Sequence, residues 1–144
     1  MDRYDWLLFL HVLAAFALVG SLVIFTTVLL ATRSSSADGD TPLLGVSWLG
    51  SRLWDVGGLG TLVFGVWLAI DLDGYDLLDG WILAALVLWV VAAGAGARLG
   101  IAYNEARSGG GLAGLRTSSA TTLQLVMIVA TTLLLIDMIW KPGA

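Results

Sequence analysis

Four long apolar stretches dominate this chain of 144 residues and decide what it can fold into. A helix needs about 20 mostly apolar residues to cross the hydrocarbon core of a bilayer. We expect such helices over about 6–31, 50–70, 80–104 and 118–140. These stretches predict an all-α fold, in which 1–144 forms one domain that is an integral membrane four-helix antiparallel bundle.

The composition supports a membrane location and excludes several classes of protein. Apolar residues make up 58% of the chain and charged residues 12%, whereas soluble domains average about half and about a quarter. The net charge of −4 offers no basic surface for nucleic acid. The absence of cysteine excludes disulfides, thiol catalysis and Cys-ligated zinc or iron–sulfur clusters.

The distribution of Lys and Arg predicts how the bundle is oriented, because positive charges favour the cytoplasmic loops of membrane proteins. With four spans, the side that holds the first and third loops carries Arg33, Arg52, Arg98, Arg107 and Arg116. The opposite side carries Arg3 and Lys141. We therefore expect a multi-pass protein of the cell membrane with both termini and the acidic middle loop outside.

His11 is the single histidine of the chain and lies within the first apolar stretch. An ionisable residue inside a membrane is a candidate for function because its burial is costly. A neutral imidazole can ligate haem iron or another transition metal. The alternative is that His11 forms a hydrogen bond to a neighbouring helix and has a packing role only.

Asp137 and Met138 lie in the fourth stretch, at nearly the depth predicted for His11. The Asp137 carboxylate can hold the second ring nitrogen of His11, which fixes the tautomer and raises the basicity of the imidazole. Alternatively, Asp137 reaches the interface or pairs with Lys141, four residues later. Met138 can ligate haem iron opposite His11, or it can serve in packing. The candidate cofactor-binding residues are therefore His11, Asp137 and Met138, with His11 as the metal ligand.

Small residues recur every four positions along the third stretch, at Ala92, Gly96 and Gly100. This spacing favours close approach of helix backbones inside a bilayer. The alternative is that these residues leave room for a flat cofactor between helices. The Gly-rich segment 108–111 predicts a flexible linker before the fourth helix.

The first stretch also carries a resemblance to known membrane proteins. From Trp6 to Gly20 an apolar run leads to His11, then to small residues, and then to a glycine nine positions after the histidine. This pattern, with the third-helix start at 80–84, resembles a group of small bacterial membrane proteins. The group includes an uncharacterised family with four predicted helices, copper-resistance D-type domains and HemJ-type protoporphyrinogen oxidases. The resemblance to the HemJ type implies haem ligation by His11.

The sequence departs from two members of that group. HemJ-type enzymes have an important lysine early in a later helix, whereas 83–85 is Leu-Ala-Ala here and Lys141 is the sole lysine. That departure argues against oxidase activity. One histidine and three methionines are too few for a copper path. The uncharacterised four-helix family is the better match, and it implies a fold without an activity.

Three functions remain open. The first is a structural or accessory membrane protein that acts through contacts with a second copy of itself or with another membrane protein. The alternative is a haem-binding, redox-associated membrane protein with His11 as axial ligand. The third is a carrier of a small molecule or ion, favoured only by the Gly-rich second helix, since no inverted repeat is visible.

Overall fold

The computed structural model describes residues 2–34, 43–71 and 78–140. Its elements, in chain order, are α1 (Arg3–Ser34), α2 (Leu43–Asp71), α3 (Gly80–Glu105), a π-helical turn (Ala106–Gly110) and α4 (Ser118–Trp140). The described residues form no strand. All four α-helices are long and apolar enough to cross a membrane. The all-α fold is thus confirmed, and the four helices are compatible with a protein that spans a membrane.

The helix boundaries agree with the prediction for α3 and α4 and differ for the other two. Helix α1 extends further at both ends, and α2 begins at Leu43 rather than near position 50. The early turns of α2 form because Leu44 and Ser47 are buried, and the Ser47 hydroxyl donates to the Leu44 carbonyl at 2.6 Å. The acidic middle loop and Lys141, both used in the orientation argument, fall largely or wholly outside the described residues.

Glycines in α2 allow α1 and α2 to pack closely as antiparallel neighbours. A Cβ atom added at Gly57 would lie 2.7 Å from the Leu18 backbone nitrogen and 2.9 Å from the Ala14 carbonyl oxygen. At Gly60 it would lie 2.9 Å from the Ala14 Cβ. Only hydrogen fits at such separations, so these glycines set the distance between the two helices.

The best-packed part of the bundle joins α1 to α3 and α4. The fully buried Tyr103 of α3 donates its hydroxyl to the Phe25 carbonyl at 2.8 Å, and the two rings stack at 4.9 Å. Gln124 of α4, also buried, donates to Thr26 Oγ1 at 2.9 Å. These contacts give the bundle a core near the end of α1 and the start of α4.

Three arginines mark the same end of the bundle. Arg33 donates to the Thr117 carbonyl at 2.8 Å, and Arg116 donates to the Thr32 carbonyl at 3.2 Å. Arg107 donates to the hydroxyl oxygens of Ser47 at 3.2 Å and Ser51 at 3.3 Å. We call this end, defined by Arg33, Arg107 and Arg116, the arginine end. The opposite end carries the ion pair between Arg3 and Asp71.

The segment predicted to be a flexible linker folds as a turn at the arginine end. Gly109 and Gly111 have φ angles of 87° and 83°, a region that residues with a side chain rarely adopt. Leu112 and Leu115, which follow directly, are buried in the core. Burial of these two leucines anchors the connection between α3 and α4.

Candidate ligand cavity around His11

A cavity of about 550 Å³ lies between all four helices in the half of the bundle away from the arginine end. His11 of α1, Thr61 and Gly65 of α2, Trp81 of α3 and Met138 of α4 line it. Sites for small molecules and cofactors typically measure about 300–1,000 Å³ and are mostly apolar with a few polar groups. The cavity has that size and that character.

The imidazole of His11 reaches the cavity because Gly65 leaves space for it. A Cβ at Gly65 would lie 2.9 Å from His11 Cε1 and 3.3 Å from His11 Nδ1. The Nδ1 atom is buried and has no hydrogen-bond partner in the described part of the chain. An imidazole nitrogen in that state is available to a ligand or a metal.

Thr61 is a second polar residue of the cavity, and it was not predicted from the sequence. Its side chain is only 2% exposed, and its Oγ1 has no hydrogen-bond partner among the described residues. Buried hydroxyls are usually hydrogen-bonded, and the described residues also leave the hydroxyls of Thr121 and Thr131 without a partner. The Thr61 hydroxyl differs from these in lining the His11 cavity, where a bound group can accept or donate a hydrogen bond.

The structure brings Met138 to His11 but does not bring Asp137 into the same cavity. The Met138 methyl carbon would lie 3.8 Å from a Cβ at Gly65, at the position that the imidazole also contacts. Asp137 is half-buried and does not line the cavity, and its buried Oδ2 has no hydrogen-bond partner in the described residues. No hydrogen bond between Asp137 and His11 Nδ1 is present. The suggested partner Lys141 lies outside the described residues.

The donor set of the cavity limits which metals fit. Within the described residues, no three His, Cys, Asp or Glu side chains come together as a metal site. A metal bound at His11 would therefore need most of its ligands from a group other than the protein. Haem meets this condition, since its macrocycle supplies four ligands and the protein supplies one or two.

The cavity opens on the side of the bundle. Phe16 and Val12 of α1 line it and are 71% and 42% exposed. The rim of the opening is therefore apolar, which suits an apolar ligand.

The small residues of α3 lie mainly along a different feature, a cleft of about 720 Å³ between α2 and α3. A Cβ at Gly96 would lie 2.5 Å from Trp54 Nε1, whereas a Cβ at Gly100 would meet nothing within 4 Å. The sequence predicted a contact between helix backbones here, but Gly96 instead packs against the side chain of Trp54. The difference arises because Trp54 occupies the space that the small residues leave.

Comparisons with known proteins identify no relative whose function could be carried over to this site. No family model matches the chain, and no curated protein and no solved structure is detectably similar to it. The resemblance carried by the His11 stretch therefore stays a prediction.

Proposed function

We propose that this chain is a membrane protein that binds haem in the cavity around His11, with the imidazole as axial ligand. The observation that carries the proposal is the pair of buried atoms without hydrogen-bond partners, His11 Nδ1 and Thr61 Oγ1, beside a cavity bounded by four helices. Haem fits the apolar walls, and its iron needs only one or two protein ligands.

His11 and Met138 are the residues that would hold the haem. The imidazole supplies a neutral nitrogen ligand, and the Met138 thioether is the available sulfur ligand beside it. Bound haem would supply one-electron redox chemistry. The chain's own contribution is to orient the imidazole against Gly65 and to keep the site in an apolar surrounding, which tunes the redox potential.

The proposed orientation places both termini outside the cell membrane, with the arginine end in the cytoplasm. It is supported by the five arginines of the first and third loops and the flanking helices. Since the chain has no cysteine, single-cysteine reporters test the orientation directly. A cysteine at Ser108 should be protected from an impermeant maleimide in intact cells, and one at Asp2 should react.

The haem proposal is tested by the absorption spectrum of the purified protein in mild detergent, with haem supplied during expression. A Soret band that shifts on addition of dithionite is expected. His11→Ala should abolish the band, and Met138→Leu should alter the reduced spectrum. Met127→Leu is the matched control, because Met127 is fully buried in the core and does not line the cavity. A protein without a Soret band would overturn the proposal.

A structural or accessory role is the second candidate function. It is favoured by the core around Tyr103 and Gln124, whose side-chain hydrogen bonds join α3 and α4 to α1. This role predicts a protein without a Soret band that still folds and still self-associates after His11→Ala. Thermal unfolding and single-molecule counting of labelled chains in vesicles would measure folding and self-association.

A further inference from the structure

Asp55 of α2 and Arg98 of α3 are charged side chains on the outer surface of the bundle. Both are exposed, and neither takes part in an ion pair within the described residues. Both lie in helices that are long and apolar enough to cross a membrane. A charged side chain that faces hydrocarbon is costly, and such residues usually pair with one another. In a bundle that spans a membrane, these two charges are therefore candidates for contacts with another molecule.

The nearest charges along each helix do not neutralise Asp55 or Arg98. Arg52 lies three residues before Asp55, but its guanidinium stands over the Trp48 ring, 5.6 Å from the ring centroid. Glu105 lies seven residues after Arg98, about 10.5 Å further along the axis of α3. An ion pair needs much closer contact than that, so neither helix supplies its own counter-charge.

Asp55 and Arg98 lie at nearly the same depth in the bundle. Trp54 packs against Gly96, which fixes the register of α2 against the antiparallel α3. Asp55 is one residue beyond Trp54 and Arg98 is two residues beyond Gly96, so the two α-carbons differ by about 4.5 Å in depth. Helical side chains lean toward the N terminus of their helix. Because the helices are antiparallel, the carboxylate and the guanidinium lean toward a common level.

The two charges stand on opposite sides of one outer face, which α2 and α3 form together. Asp55 lines the cleft between the two helices, whereas Arg98 does not, and Ile101, 61% exposed, lies between Arg98 and the cleft. Gly94, one turn before Arg98, is exposed, and a Cβ there would meet nothing within 4 Å. Bare backbone of this kind lets a helix of another molecule approach closely. The face therefore combines an open backbone with two separated, opposite charges.

We propose that this face binds a second copy of the chain in a symmetric dimer, in which Asp55 of each copy pairs with Arg98 of the other. A two-fold interface pairs residue i with j and residue j with i. For two copies with the same orientation in a bilayer, the axis runs along the membrane normal, so only residues at equal depth meet. Asp55 and Arg98 satisfy this condition and give two identical ion pairs. Neither residue lines the His11 cavity, so the dimer does not depend on haem binding.

The test combines charge reversal with native mass spectrometry of the full chain in mild detergent. Asp55→Arg and Arg98→Asp should each weaken dimerisation about tenfold or more, because each variant places two pairs of like charges across the interface. When the two variants are mixed, they should form heterodimers, since both pairs then again have opposite charges. The masses of the two variants differ, so heterodimers and homodimers are resolved without labels.

An ion pair within a single chain makes a different prediction for this mixture. In that case mixing would restore nothing, because each variant chain would keep its own two like charges. A monomeric parent protein, homodimers that persist in both single variants, or a mixture without heterodimers would each overturn the proposal. Arg98→Lys keeps the charge and should retain the dimer, whereas Arg98→Gln should weaken it. Circular dichroism checks that every variant is helical.

A bulky side chain on the face gives a test that does not depend on charge. Gly94→Leu adds a side chain without a clash inside the chain, since a Cβ there meets nothing within 4 Å. It should prevent dimerisation while the bundle stays folded. Thr132→Leu is the matched control, because Thr132 is exposed on α4 and lies outside the face. A Gly94→Leu variant that dimerises as the parent does would overturn the proposal.

Discussion

The imidazole of His11 lies directly on the α-carbon of Gly65. A Cβ on that glycine would approach His11 Cε1 to 2.9 Å, closer than real side-chain contacts allow. The pair therefore fixes the position of the imidazole in the cavity. Since the obstructed atom is the end of a side chain, a methyl group at position 65 would move the imidazole before it moved the helices.

Gly65→Ala should reduce haem occupancy about tenfold or more while the bundle stays folded. The physical reason is overpacking, which typically costs about 1–3 kcal/mol. Here the added methyl group displaces the imidazole of His11, the proposed haem ligand. The ratio of Soret to protein absorbance measures the effect, with thermal unfolding as the check on the fold. Gly94→Ala, at an exposed position with free space, should bind as the parent does. Full occupancy in Gly65→Ala would contradict the assignment of His11.

Two adjacent glycines of α2 should respond in opposite ways to alanine. Gly57→Ala should destabilise the protein by about 1–3 kcal/mol, because its Cβ would lie 2.7 Å from the Leu18 backbone nitrogen and neither backbone can yield easily. Gly58→Ala should be neutral or stabilising by up to about 1 kcal/mol, since its Cβ meets nothing within 4 Å and alanine favours a helix. Unfolding in mixed micelles compares the two, and equal effects would refute the close packing of α1 on α2.

Tyr103 should contribute more through packing than through its hydroxyl. Tyr103→Phe keeps the ring stacked on Phe25 and removes one hydrogen bond, so we expect a loss of about 0.5–1.5 kcal/mol. Tyr103→Ala leaves a cavity in the core and should cost about 3–5 kcal/mol. Both variants are compared by unfolding in the same micelles. A larger effect of the phenylalanine variant would show that the hydrogen bond dominates.

The fold was largely predictable from sequence because burial in a membrane requires length and apolar composition, and both can be read directly. The site was only partly predictable. His11 and Met138 were identified by residue type and depth, and the structure places them at the same glycine. Thr61 was missed, because a threonine in a membrane helix usually bonds to its own backbone, as Thr26 does with the Leu22 carbonyl. Only the positions of neighbouring helices reveal that Thr61 Oγ1 has no hydrogen-bond partner in the described residues.

The contact between Gly96 and Trp54 gives the sharpest test of how α3 packs. A Cβ at Gly96 would lie within 2.5–2.7 Å of three indole atoms, so Gly96→Ala should displace Trp54 and destabilise the protein by about 1–3 kcal/mol. In a Trp54→Ala background the same substitution should cost little, because the obstructing ring is gone. The double-mutant cycle measures this coupling, which we expect at about 1 kcal/mol or more. Additive effects of the two substitutions would mean that Gly96 packs against a helix backbone, as its spacing with Ala92 and Gly100 predicts.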